Sequence, residues 1–404
     1  MTPRPAAGCP ILGRREGASV GCIGIRSLSI DTCEIKRPFV TARARAGCWG
    51  TAACAAIGTI ALLFAAATSA ALAQERPIPF IDTQAQFDPR FLSPRVGGTP
   101  ERLKEIVPFI VEEMDRYGVS MTFIVPPPLP PNISPSYDFE EIVPAIRLHQ
   151  KRFAFLAGGG SLNPMIIGTP PGAVSDALKE KFRQRAREIL ASGALGFGEV
   201  TASHFSGPDV GMYESTEADH PLLLLLTDIA AERGVPIDMH FDVVPRDMPA
   251  PPNIRHALNA NPSDLKENLA AFERLLAHNR NARIVWSHAG SDPTRERTVP
   301  LMRRQLEAHS NLYMSIRIAV RGPHPIVPLA QDGRLKPEWR ALFINYRNRF
   351  VMQSDAFYQL PPPLKARGTK DALALGRELL SQLPEDIARA IAYENTRRIY
   401  NLKE

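Results

Sequence analysis

The stretch PLLLLLTDIAAERGVPIDMHFD, residues 221–242, contains the unit from which the chain is built. Residues 221–233 carry apolar side chains at three- and four-residue spacing, the period of a helix, and residues 236–241 form a short apolar run of strand type. The run ends on His240 and Asp242, two side chains able to bind a metal or move a proton. The same alternation extends in both directions. Strand patterns fall at 78–83, 119–125, 153–157, 195–200, 236–241, 283–287, 312–316 and 349–353. Helical patterns lie at 100–117, 139–150, 175–192, 221–233, 262–278 and 294–309, with Thr99-Pro100 and Asn261-Pro262 each supplying an N-cap and a first-turn proline. Strand–helix units repeated in this number predict an α/β fold of the (β/α)8 TIM-barrel type. An open doubly wound sheet is disfavoured, because no Gly-rich dinucleotide fingerprint follows the first strand and no phosphate-binding GxxxxGK occurs. An extra C-terminal helix over 384–400 is expected to pack outside the barrel.

The first 73 residues have a different character. Residues 47–73 hold no charge, Arg43 and Arg45 precede them, and Ala71-Leu72-Ala73 forms a small-x-small cleavage pattern. This is the layout of a signal peptide cleaved near Ala73, and it predicts a periplasmic or secreted protein with one barrel domain over 74–404. Left uncleaved, the run is long enough to anchor the chain in a membrane. Residues 1 to 40 add no domain-like pattern, so an over-extended start is expected, with Val40 as the alternative first codon. Of the 48 basic and 42 acidic residues, eight and three lie in 1–73, which leaves 40 against 39. The basic balance therefore belongs to the leader and gives no reason to expect a nucleic-acid partner. Cys9, Cys22, Cys33, Cys48 and Cys54 all fall in the leader too, so the remainder has neither disulfide nor thiolate ligand. Proline clusters at 126–131, 249–252 and 361–363 each follow a strand and predict a stiff rim on one face of the barrel.

That face gathers the polar strand ends. The first strand is followed by Gln84 and Gln86, spaced to point the same way; GFGEV carries Glu199, IDMHFD His240 and Asp242, IVWSHAG His288, and FVMQSD Asp355. Alternation puts His240 on the face of Asp238 and Asp242, and His288 on the face of Ile284 and Trp286. If both faces point inward, two imidazoles and two carboxylates converge at the barrel mouth. Most single histidines serve packing, and His149, His220, His256, His278, His309 and His324 read that way. His204, in the loop after the fourth strand, reaches toward the site without a spacing argument. Glu199, His240, His288 and Asp355 differ in that four separate strands each place a ligand type at the same end.

In order and register, FIDTQAQFD, GFGEV, IDMHFD, IVWSHAG and RFVMQSD, closed by LPEDIARAIAYENTRRIYNL, resemble the amidohydrolase superfamily, in its amidohydrolase-2 (amidohydrolase-related) branch. In that family a strand-1 His-x-His and the strand-8 Asp hold one metal, and residues of strands 4, 5 and 6 hold another. Here Gln84 and Gln86 stand in place of the histidines, and amide oxygens are weak zinc ligands. The resemblance therefore implies a single divalent ion, zinc first, on Glu199, His240 and His288, with Asp355 as the base that takes a proton from water and passes it to the leaving group. Gln84 and Gln86 are expected to bond a substrate oxygen or the activated water. Arg317, Arg321 and Arg246 are expected to clamp a substrate carboxylate. The implied function is an exported, metal-dependent hydrolase of a small, anionic amide, ester or lactone. The alternatives are a metal-free lactonase or a decarboxylase of the same branch, with His240 or His288 as base, and a barrel that binds a small molecule without catalysis.

Overall fold

A computed structural model of the protein describes residues 78–87, 102–131, 137–206, 213–255, 261–358 and 369–403. The leader, the cap at Thr99-Pro100, the third proline cluster and His256 lie outside these residues.

Eight parallel strands carry the fold: β1 Phe80–Phe87, β2 Val119–Ile124, β3 Phe153–Phe155, β4 Phe197–His204, β5 Pro236–Phe241, β6 Arg283–Ala289, β7 Leu312–Ile316 and β8 Phe350–Met352. Helices follow them in turn: α1 Leu103–Tyr117, α2 Phe139–Ile146, α3 Asp176–Ala191, α4 Pro221–Arg233, α5 Leu269–His278, α6 Val299–Ala308, α7 Pro337–Asn345 and α8 Thr369–Leu380. Sequence neighbours pair from β1 to β3 and from β4 to β8. The two remaining joints use short extensions. Ala157–Gly158, just past β3, pairs with β4, and Ala356–Tyr358, just past β8, pairs with β1. Hydrogen bonding therefore runs as two separate sheets, with the chain passing from one to the other just after β3 and just after β8, in the strand order of a (β/α)8 barrel.

Alternation along each strand separates two layers of core. Outward-facing Phe241 and Trp286 meet Phe272 of α5, with ring centroids 4.5 and 5.0 Å from it. Inward-facing Ile81, Phe123, Val125, Leu156, Val285 and Val351 fill the interior. Ile399 and Tyr400 join this inner cluster, which corrects the expectation that the last helix only packs outside. The terminal segment, Glu385–Arg389 through Asn395–Ile399, is tied down by Asn395 Nδ2, which donates to the carbonyls of Arg347 and Phe350. Tyr400 then inserts edge-on against Phe123, centroids 5.0 Å apart, with its hydroxyl 3.5 Å from Asp238 Oδ2. A tyrosine suits that place because its ring fills the barrel floor while its tip meets a buried polar group.

Two helix starts also differ from expectation. The pattern at 262–278 becomes helical only at Leu269, because Asp264–Leu265 pairs antiparallel with Met248–Pro249. Asn261 bridges to the backbone of Ser206 instead of capping a helix, accepting from its N–H and donating to its carbonyl, each at 2.8 Å. α6 begins at Val299, where Thr298 caps it. Ser175 caps α3 where the sequence pattern begins.

Candidate active site

β1 does not stop before its glutamines. It runs on through Phe87, and Gln84 and Gln86 are 0% and 1% exposed, inside the barrel rather than at its solvent edge. Glu199 turns inward at an irregularity. Phe197 and Val200, three residues apart, both sit in the outer core, and the β4–β5 register shifts between them. His240 needs no such device, since plain alternation keeps it with Asp242, which its Nε2 contacts at 3.2 Å.

His288 departs from the alternation of its strand. Its partners by parity, Ile284 and Trp286, belong to the outer core. A backbone φ of 68° at His288, beside a register shift after Trp286, swings its ring inward instead. Asp355 has a φ of 52°. Left-handed backbone at a non-glycine costs roughly 1 kcal/mol or more and persists only where neighbours enforce it. At His288 the enforcer is Arg297, fully buried and stacked 3.7 Å over the Trp286 ring, whose guanidinium bonds the carbonyls of Trp286 and Ser287. At Asp355 it is Asp82, which accepts from Ser354 N–H at 2.8 Å and Ser354 Oγ at 2.6 Å while Asp355 N–H donates to the Gln84 carbonyl at 2.9 Å.

Glu199 is the hub. Its Oε2 accepts from Gln84 Nε2 at 2.7 Å and from Gln86 Nε2 at 3.2 Å. Its Oε1 lies 2.9 Å from His240 Nδ1 and 3.0 Å from His288 Nε2, and the two nitrogens are 3.0 Å apart. Burial alone would raise the Glu199 carboxyl, but the two imidazoles hold it well below the usual range. Burial would lower His240, and Asp242 with Glu199 outweighs it, leaving the ring well above an ordinary histidine.

These three atoms fit a metal. They all lie within 4.8 Å of one another, and a tetrahedral ion with ligand bonds of about 2.0 Å sets its ligands roughly 3.3 Å apart. Two imidazole nitrogens and a carboxylate are a zinc-type donor set. The surroundings support it. Gln353 Nε2 contacts His288 Nδ1, and its buried Oε1 has no partner. Turning that amide over lets the oxygen accept from Nδ1–H, which frees the Nε2 lone pair for an ion.

The structure also redistributes the expected roles. Gln84 and Gln86 each give an N–H to Glu199 and so help to fix that carboxylate, while their buried Oε1 atoms have no partner. Asp355 lies 3.3 Å from Gln86 Nε2 through Oδ1 and 3.0 Å from Arg317 Nε through Oδ2. The Arg317 contact is a charge contact rather than a directed hydrogen bond, since that N–H has no aligned acceptor. Arg246 is 66% exposed in its side chain, and its guanidinium engages Glu296 at 3.0 and 3.3 Å. Arg321 pairs with Glu378. His204 ends β4, its ring centroid 4.6 Å from that of His240. Gln353, Arg297 and Asp82 escaped the sequence reading. Only Gln353, two positions before Asp355, had a positional signal.

The chain matches the model of the family described as Amidohydrolase over residues 166–402, a span that contains Glu199, His240, His288 and Asp355 and leaves β1 outside. Similar solved structures include a 5-carboxyvanillate decarboxylase from Novosphingobium aromaticivorans, complexed with manganese, at 12% identity (81% of this chain, 97% of that one, TM-score 0.43). They also include an organophosphorus hydrolase from Deinococcus radiodurans at 12% (81% and 93%, TM-score 0.49). An amidohydrolase 2 from Bifidobacterium longum subsp. infantis is 13% identical (81% and 100%, TM-score 0.40). No curated protein matches.

Proposed function

The chain belongs to the amidohydrolase family, and on that premise we propose that it is a metal-dependent hydrolase of a small amide, ester or lactone, exported through the leader that ends near Ala73. The observation that carries the reading is the triangle of Glu199 Oε1, His240 Nδ1 and His288 Nε2, which would hold one divalent ion, zinc by its donors. When bound, such an ion supplies Lewis acidity that lowers the pKa of water toward neutrality.

The remaining work falls to side chains. Gln84 and Gln86 bind Glu199 Oε2 and so turn Oε1 toward the two imidazoles. Asp242 and Gln353 orient those rings from behind, through His240 Nε2 and His288 Nδ1. Asp355 takes the proton of the attacking water; Gln86 and Arg317 hold its two oxygens in place. Arg317, a quarter exposed, also donates to Ser291 Oγ at 2.7 Å and offers its remaining N–H groups to an anionic substrate.

Metal analysis of the purified protein tests this. About one zinc-class ion per chain is expected in the wild type, and about a tenth of that or less in His240→Ala at the same loading. A wild type that takes up no ion under any loading condition removes the metal-dependent reading. It would favour ion-free chemistry on His240, already placed between the carboxylates of Glu199 and Asp242.

A further inference from the structure

Glu214 stands beside this site without a part in it. The short strand Glu214–Ser215 folds back antiparallel on β4, with Glu214 opposite His204 and Ser215 opposite Ser203. Directly opposed residues of an antiparallel pair place their side chains on the same face. His204 identifies that face as the one toward the site, since its ring lies edge-on to His240.

Glu214 is 4% exposed, and among the described residues no ion pair involves it. Its Oε2 accepts from Asn163 Nδ2 at 3.2 Å. Asn163 is itself fixed, accepting from Thr201 N–H at 2.9 Å and donating to the Leu129 carbonyl at 3.3 Å. Oε1 is buried and has no partner. Burial raises the carboxyl to about 7; the Asn163 hydrogen bond and His240 oppose the rise, and the charge of Glu199 adds to it. A neutral carboxyl has one O–H. With Oε2 accepting from Asn163, that hydrogen sits on Oε1, the oxygen without an acceptor. A buried donor left unpaired is destabilising, and a ligand acceptor beside it would relieve that cost.

We propose that Glu214 is the proton donor to the leaving group, delivering its Oε1 hydrogen to the alkoxide oxygen or amine nitrogen as the scissile bond breaks. The inference rests on the hydrolase reading above and divides the acid and base roles between two carboxyls in different surroundings. Water oxygen forms the new bond to the acyl carbon and its proton goes to Asp355. The carbon–leaving-group bond breaks, and the leaving group departs with the Glu214 proton. Asp355 then releases one proton to solvent and Glu214 regains one, so the sum is addition of water.

The test compares leaving groups. From a panel of esters, the acyl group that the metal-loaded wild type hydrolyses best is carried through as its ethyl and its 4-nitrophenyl ester. Nitrophenolate leaves without a proton; ethoxide does not. Glu214→Gln is expected to lose about 100-fold in kcat on the ethyl ester and less than about fivefold on the nitrophenyl ester, with its metal content retained. In the wild type, kcat on the ethyl ester should fall as pH rises through about 7, and kcat on the nitrophenyl ester should not. Equal losses on both esters, no loss on the ethyl ester, or parallel wild-type pH profiles would overturn the proposal. Metal uptake and nitrophenyl hydrolysis by the wild type would still stand in those cases. A wild type inert toward every ester removes the hydrolase reading, and this inference with it.

Discussion

Glu199→Gln is expected to abolish metal binding and lower kcat/KM by about a thousandfold or more, the scale seen when a central catalytic group is removed. The carboxylate is engaged on all sides, by two amide donors at Oε2 and two imidazole nitrogens at Oε1. A glutamine there brings an NH2 group of its own. Facing Oε2's partners, it meets the N–H groups of Gln84 and Gln86; facing the imidazoles, it removes the anionic ligand. His240 meanwhile keeps its charge attraction only to Asp242, and breaking a buried pair by removing one partner costs about 3–5 kcal/mol. Thermal denaturation of metal-free wild type and variant separates this structural cost from the loss of the ion. A variant that binds metal and turns over normally would show that Glu199 is a structural strut and not a ligand.

Stability is expected to peak in mildly acidic solution and to fall as pH rises toward 8. Burial raises Asp82 to about 7, Asp138 to about 6, Asp292 to about 6 and Asp238 to about 8, all from an ordinary 3.8. Glu214, at about 7, behaves alike. Between the unfolded and folded values the native state binds more protons than the unfolded chain, so stability declines as pH rises from about 4 to about 8. Each fully responding group contributes about 1.4 kcal/mol per pH unit within its own window. In the metal-free protein His240 adds to the same trend, because a raised imidazole loses its contribution as pH climbs through its folded value. Glu199 and Asp242 work oppositely, and only below the ordinary carboxylate range. A fall in Tm on the order of 10 °C between pH 5.5 and 8.5 follows, measured by calorimetry. Asp82→Asn should flatten the profile between pH 4 and 7. A Tm that stays level or rises across this range would mean that these carboxyls are already ionised in the folded protein at pH 5.5.

The order of the eight units was legible because periods of 2 and 3.6 residues are local properties of the chain. Four of the site residues were legible for a related reason. Glu199, His240, His288 and Asp355 sit at the ends of apolar runs, and in a barrel those ends share one face. The path of Gln84 and Gln86 was harder to read, since two amides look like a strand's exit when the carboxylate that absorbs them lies more than a hundred residues away. The helix start at 262 misled because Asn-Pro serves turns as readily as caps.

By itself, then, the chain determined its alternating architecture and the types of group at the strand ends, since both depend on nearest neighbours along the sequence. Tertiary structure decided the direction of those groups. Parity alone places His288 among the outward Ile284 and Trp286, and only a left-handed residue held by Arg297 from nine positions downstream turns it inward. Asp355, held at the end of β8 by Asp82 from the opposite end of the chain, depends likewise on a contact across 272 positions. Tyr400 in the barrel floor and Glu214 beside His204 belong to the same class. Such placements reflect the burial and hydrogen-bonding demands of groups that meet only when the strands close around them, and no local pattern records those demands.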